Sequence, residues 1–301
     1  MRIPLDAFYV PVEYTLPAGG YGVGHEAILQ EIRSLDPVKD HQRIAFLTSL
    51  HEFPWDTVRS LELALFRAFA VAKGTSLLAG TGEFTQRTQK RYDDTVLLLA
   101  EILEHGYDSI RGRAALRRIN QMHGRYQIPN DEFLYVLSTF VFEPIRWNER
   151  FGWRALLPQE KLAAYYYWRE LGRRMGIKDI PDSYEALERY YHDFATEQYR
   201  FAPENRALAA ATRDLLLSWY LPRFMWPLGR PFVHAMLDDD LLRAVGLPPP
   251  HPALRRLTEI SVRMRGRIAG RLPARRKPRL ITRQRHPTYP TGYEVEELGV
   301  N

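Results

Sequence analysis

Residues Glu132 to Phe142 read Glu-Phe-Leu-Tyr-Val-Leu-Ser-Thr-Phe-Val-Phe, an almost wholly apolar run that leaves no helical face for water. A helix of that kind is stable only when other elements surround it, so the chain is predicted to build layers around this segment. The flanking sequence supplies them. Helical periods cover 25–34, 39–51, 55–79 with an interruption near Gly74, Thr88 to Glu104, Ser109 to Tyr126 and Pro158 to Arg174. Others end near Gln198 and cover Asn205 to Trp219, 231–244 and 252–271. Alternating strand patterns and internal repeats are missing. The expectation is an all-α fold, a single globular domain of about ten helices over 1–272. A basic arm over 273–301 follows, kept extended by Pro273, Pro278, Pro287 and Pro290.

Composition narrows the chemistry. The 301 residues include no cysteine, which excludes disulfides, zinc–thiolate sites, iron–sulfur clusters, Cys nucleophiles and covalent haem attachment. The opening Met1-Arg2-Ile3-Pro4-Leu5-Asp6 lacks the apolar run of a signal peptide, and no stretch is long and apolar enough to span a membrane, so the expected location is the cytoplasm. The net charge of +6 is uneven: residues 251–301 hold 12 Lys/Arg against 4 acidic residues, whereas the rest holds 30 against 32. The surplus over 255–285 fits a solvated helix face or peripheral contact with an anionic membrane surface. Binding to nucleic acid is disfavoured by the slightly acidic remainder and by the absence of a recognised module.

Most catalytic motifs fail. His25-Glu26 and His51-Glu52 lack the second histidine of a HExxH site, and no histidine has a glutamate three residues before it. No P-loop, dinucleotide fingerprint or nucleophile elbow occurs. His192-Asp193 is a bare dipeptide, the seed of a metal phosphohydrolase reading without further ligands at convincing spacing.

What remains is Arg91-Tyr92-Asp93-Asp94-Thr95, followed by Met122-His123-Gly124. Arg91 and Thr95 are four apart and share a helical face. His123 falls one turn after Ile119 on the apolar side of the next helix. A histidine facing an Arg/Thr pair suits a metal or haem pocket. The same pattern is more usually that of a core histidine bonded to a carbonyl, with Arg91 paired to Asp93 or Asp94.

The ordered series Arg91-x-x-x-Thr95, Ile119-Asn120-Gln121-Met122-His123-Gly124, Asn130-Asp131 leading into Leu134 to Val141, Tyr165 to Gly172 and Met175-Gly176-Ile177 resembles the MpaB/latex-clearing-protein superfamily over about residues 39–245. The resemblance implies a helical fold with a globin-like core holding non-covalent b-type haem, and cleavage or oxidation of an apolar, isoprenoid-like substrate by dioxygen. By that resemblance His123 is the proximal iron ligand, and Arg91 and Thr95 flank the haem with catalytic and cofactor-binding roles. The rubber-cleaving branch places a distal lysine three residues after the arginine, and here that position is Asp94. Its catalytic glutamate lies upstream of the arginine, where Glu83 is the nearest candidate. The alternative function is a non-catalytic carrier of lipid or isoprenoid ligands.

Overall fold

A computed structural model describes residues 24–300, and among these residues the chain is helical with no strand. The central segment becomes α8 (Asn130–Phe151), and its predecessors are α1 (His25–Ser34), α2 (His41–Phe46), α3 (Pro54–Ala68), α4 (Ala72–Gly80), α5 (Glu83–Gln86), α6 (Thr88–His105) and α7 (Ile110–His123). After it come α9 (Pro158–Arg174), α10 (Tyr184–Gln198), α11 (Pro203–Ser218), α12 (Trp226–Ala235), α13 (Asp239–Ala244) and α14 (Pro252–Arg271).

The count of fourteen exceeds the expected ten or so for identifiable reasons. The 55–79 period breaks at Phe69 to Val71, earlier than Gly74, because Val71 turns extended before α4. The 231–244 period is two helices, separated where the Asp238 side chain caps the backbone N–H of Leu241 at 2.9 Å. The 39–51 segment changes pitch: after α2, Leu47–Glu52 is a π-helical turn. Ser183 caps α10 by accepting from the Ala186 N–H at 3.1 Å.

α8 runs on past Phe142, through Pro144, to Phe151. Pro144 has no N–H for the Phe140 carbonyl, which ordinarily ends a helix. Here Ile145, Trp147 and Phe151 beyond it are all buried, so packing outweighs the lost hydrogen bond. α3, α9 and α10 pack around α8. The stacked rings of Tyr135, Tyr191 and Phe194 fill its α10 side. A second apolar cluster joins Phe66 of α3 and Phe69 just beyond it to α11 and α13, and a third joins α6 and α7 to Val295 and Leu298. The proline-rich segment after Leu272 therefore packs on the helices: Tyr289 donates to Asp94 and Tyr293 to Glu101. No described helix is long and apolar enough to cross a membrane.

Candidate active site

Between α3, α6, α8 and α9 lies a mostly apolar cavity enclosing about 1440 Å³ of space, part of it continuous with solvent. Val58, Leu61 and Leu65 of α3 face Val96, Leu99 and Leu103 of α6 across it. Phe140 and Trp168, stacked with ring centres 4.6 Å apart, form a wall shared by α8 and α9. The π-helical turn contributes Thr48, Ser49 and Leu50. Inserting one residue into the helical repeat re-aims side chains locally, and the displaced Leu50 carbonyl accepts from Arg279 N–H at 2.9 Å.

Arg91 and Thr95 both line this cavity. Arg91 donates to the Thr95 hydroxyl, which in turn donates to the Arg91 carbonyl at 2.8 Å. The guanidinium sits over the Phe84 ring, 5.0 Å from its centre, and makes no ion pair among the described residues. Burial lowers its pKa, while the charges of Asp94 and Glu83 act in the opposite sense.

His123 is the last residue of α7, one turn short of the expected Tyr126 boundary. Its ring meets Phe133 edge-on at 5.0 Å, and its Nδ1 is buried without a hydrogen-bond partner. It is therefore not a core histidine bonded to a carbonyl. Burial first, and then the nearby positive charge of Arg91, lower its pKa to about 4, so at neutral pH the imidazole is uncharged and free to donate a lone pair. The cavity wall itself is made by Arg91 and Thr95, and His123 is not among its lining residues.

Asp94 faces away from the cavity. It is buried between Lys90 Nζ, 2.8 Å away, and the Tyr289 hydroxyl, so it anchors the C-terminal segment. Glu83 pairs with Arg87 and also lies outside the lining. Besides Glu160 of α9, the carboxylate that reaches the cavity is Glu62 of α3, which sequence reasoning missed. It accepts from the Tyr92 hydroxyl at 2.8 Å and pairs with Arg59. Burial pushes its pKa up to about 7, against the pull of Arg59 and of the Tyr92 hydrogen bond. A signal existed: Glu62 sits four residues after Val58, inside the apolar stripe of α3. His192 lines separate polar clefts beside Arg67 and Asp238, and no group of three His, Asp or Glu placed to share a metal ion occurs among the described residues.

The site is thus a mostly apolar cavity inside a helical shell, with the uncharged, unpaired imidazole of His123 near Arg91 of its wall. Comparison with known proteins supplies the family. The family model described as ER-bound oxygenase mpaB/B'/Rubber oxygenase, catalytic domain, matches residues 58–267, and the chain belongs to that family. It is 31% identical over 219 residues to an ER-bound oxygenase mpaB' of Penicillium brevicompactum, a match covering 67% of this chain and 52%, about half, of that protein. An ER-bound oxygenase mpaB of Penicillium roqueforti (strain FM164) is 30% identical over 216 residues, covering 66% of this chain and 72% of the relative. Among solved structures, latex clearing protein in its closed state superposes with a TM-score of 0.50 at 14% identity, covering 86% of this chain and 76% of that one. At that identity the likeness is one of fold.

Proposed function

We propose that this protein is an oxygenase that holds b-type haem through His123 and oxidises, or oxidatively cleaves, a hydrophobic and isoprenoid-like small molecule with dioxygen. The observation that carries the reading is an uncharged, unpartnered His123 close enough to feel the charge of Arg91, which with Thr95 lines the cavity. The residues fit the group. A neutral imidazole can ligate iron, and an arginine without an ion-pair partner can take a propionate carboxylate in a charge-assisted hydrogen bond. Haem supplies the dioxygen chemistry that side chains lack.

The chain's own residues do the rest. Thr95 holds the guanidinium of Arg91 in one orientation, and the apolar walls exclude water and select a hydrophobic substrate. Glu62, with its pKa near neutrality, can hold or release a proton at the cavity wall, the range in which a general acid or base works best. One observation favours the carrier as a second reading: Asp94, at the distal-lysine position, is committed to Lys90 and Tyr289 rather than to the cavity.

The absorption spectrum of the purified protein, as isolated and with added haemin, tests the proposal. A Soret band present in the wild type and lost or shifted in His123→Ala is the expected result. No band in either protein removes the haem oxygenase and leaves the carrier.

A further inference from the structure

We infer that the face formed by α12 and α14 docks on an anionic lipid bilayer. α14 is inverted relative to an ordinary surface helix. Its inward face carries glycines: a Cβ at Gly266 would fall 2.3 Å from the Phe151 carbonyl oxygen, and one at Gly270 would fall 2.8 Å from the Trp153 Cβ. The backbone is thus pressed against the end of α8. Arg265 fixes the same side through two hydrogen bonds to Asp56, at 2.7 and 2.8 Å.

The large apolar side chains consequently point outward. Leu257, Ile260, Met264, Ile268 and Leu272 recur at three- and four-residue spacing, so they form one stripe, and each is at least 47% exposed. α12 packs beside α14 and adds Leu228 at 70% and Phe232 at 45%, with Phe224 at 81% on the turn before it. Single exposed apolar residues are ordinary, but so many on two helices packed side by side mark an interaction surface.

Charge identifies the occupant. Residues 251–285 hold 12 Lys/Arg and a single acidic residue, Glu259. Arg256, Arg267 and Arg271 are exposed along one flank of the stripe, and Arg275, Arg276 and Lys277 continue the row beyond the helix. None of these six forms an ion pair among the described residues. A second copy packed on this face would set like charges against each other. A bilayer with anionic headgroups offers hydrocarbon to the ridge and phosphate to the row at the same depth.

The ridge also adjoins the cavity. Trp219, shortly before Phe224, packs at a tilt against the cavity residue Tyr92 with ring centres 4.8 Å apart, and Ile281 beyond Lys277 forms part of the cavity wall. On the oxygenase reading, an apolar substrate dissolved in the bilayer lies next to its binding site. The docking itself does not depend on that reading.

The test is co-sedimentation of the full chain with vesicles of phosphatidylcholine alone or mixed with phosphatidylserine. The wild type should bind the anionic vesicles and release them at high salt. Ile260→Ser/Ile268→Ser and Arg267→Glu/Arg271→Glu should each weaken binding by about tenfold or more, with unchanged melting temperatures because all four side chains are exposed. A wild type that stays in the supernatant with anionic vesicles overturns the inference, as does a serine variant that binds like the wild type. A wild-type dimer that the serine variant converts to a monomer, read by light scattering, would assign the face to a second copy and equally overturn it. Sedimentation needs neither haem nor turnover, so its failure leaves the oxygenase reading intact.

Discussion

Arg154 and Arg91 are both arginines withdrawn from water around the same cavity, and the molecule treats them in opposite ways. Arg154 lies between Glu52 at 3.2 Å and Glu160 at 3.0 Å, and their charges outweigh burial and raise its pKa. Glu52 also accepts from His25 Nδ1 at 2.8 Å, and Glu160 accepts from Thr48 Oγ1 and from the Leu157 N–H, the latter as the N-terminal cap of α9. Every charge in that cluster has a partner. Arg91 has a hydroxyl and an aromatic ring but no carboxylate within ion-pair reach, and burial lowers its pKa. Its neighbours follow suit: Glu62 is pushed up to about 7 and His123 down to about 4. The paired cluster works as a strut. Groups held by burial away from their ordinary ionisation store electrostatic free energy that a bound ligand can release, and perturbed groups of this kind gather at functional sites.

Removing the strut is the harshest way to break this contrast. Arg154→Leu leaves Glu52 and Glu160 buried and uncompensated, with an expected loss of about 3–5 kcal/mol in denaturant unfolding. A loss below about 1 kcal/mol, the range of an exposed pair, would erase the distinction between the two regions.

Glu62→Gln probes the other side. The folded pKa of Glu62, about 7, exceeds its ordinary value of 4.5, so between those values the folded state binds more protons than the unfolded chain. Its contribution is therefore most favourable below pH 4.5 and is lost as pH rises through 7. Glu62→Gln should flatten that slope and gain on the wild type at pH 8, by at most about 3 kcal/mol less the Arg59 ion pair it forfeits. Parallel pH–stability curves for the two proteins would contradict a raised carboxyl.

Smaller effects sharpen the comparison. Tyr289→Phe removes one of two partners of buried Asp94 and should cost about 1 kcal/mol, with faster amide exchange in the segment around Tyr293. Arg91→Leu should change apoprotein stability by less than about 1 kcal/mol, since no carboxylate loses its counter-charge. It should also raise the His123 pKa from about 4, read by an NMR titration of the imidazole, because the second cause of its depression is gone. An unmoved His123 would mean that Arg91 does not act on it.

Parts of this were legible without coordinates. The Arg91–Thr95 contact is local, four residues apart on one helix, and spacing alone reveals it. Burial of α8 followed from an apolar run with no face for water. Glu62 and Asp94 were harder because each is a charged residue on an amphipathic helix, and its environment depends on the helix packed opposite. Asp94 stands next to Thr95 in sequence yet faces Tyr289 across almost two hundred residues of chain. The π-helical turn left no trace in the pattern, since a one-residue insertion into a helical repeat resembles any polar interruption.

The sequence by itself determined the all-α class, because the 3.6-residue period is a property of one segment and needs no partner to be read. It also determined the identity of the family and the concentration of positive charge near the C-terminus. Only the tertiary structure decided which face of each helix meets the cavity, which meets another helix and which meets water. α14 shows why. Its apolar period is as regular as that of any core helix, yet two glycines make the opposite face the one that fits against α8, and the leucine and isoleucine ridge is left outside. Burial belongs to pairs of surfaces, and shape complementarity between them can overrule the hydrophobic pattern of either one alone.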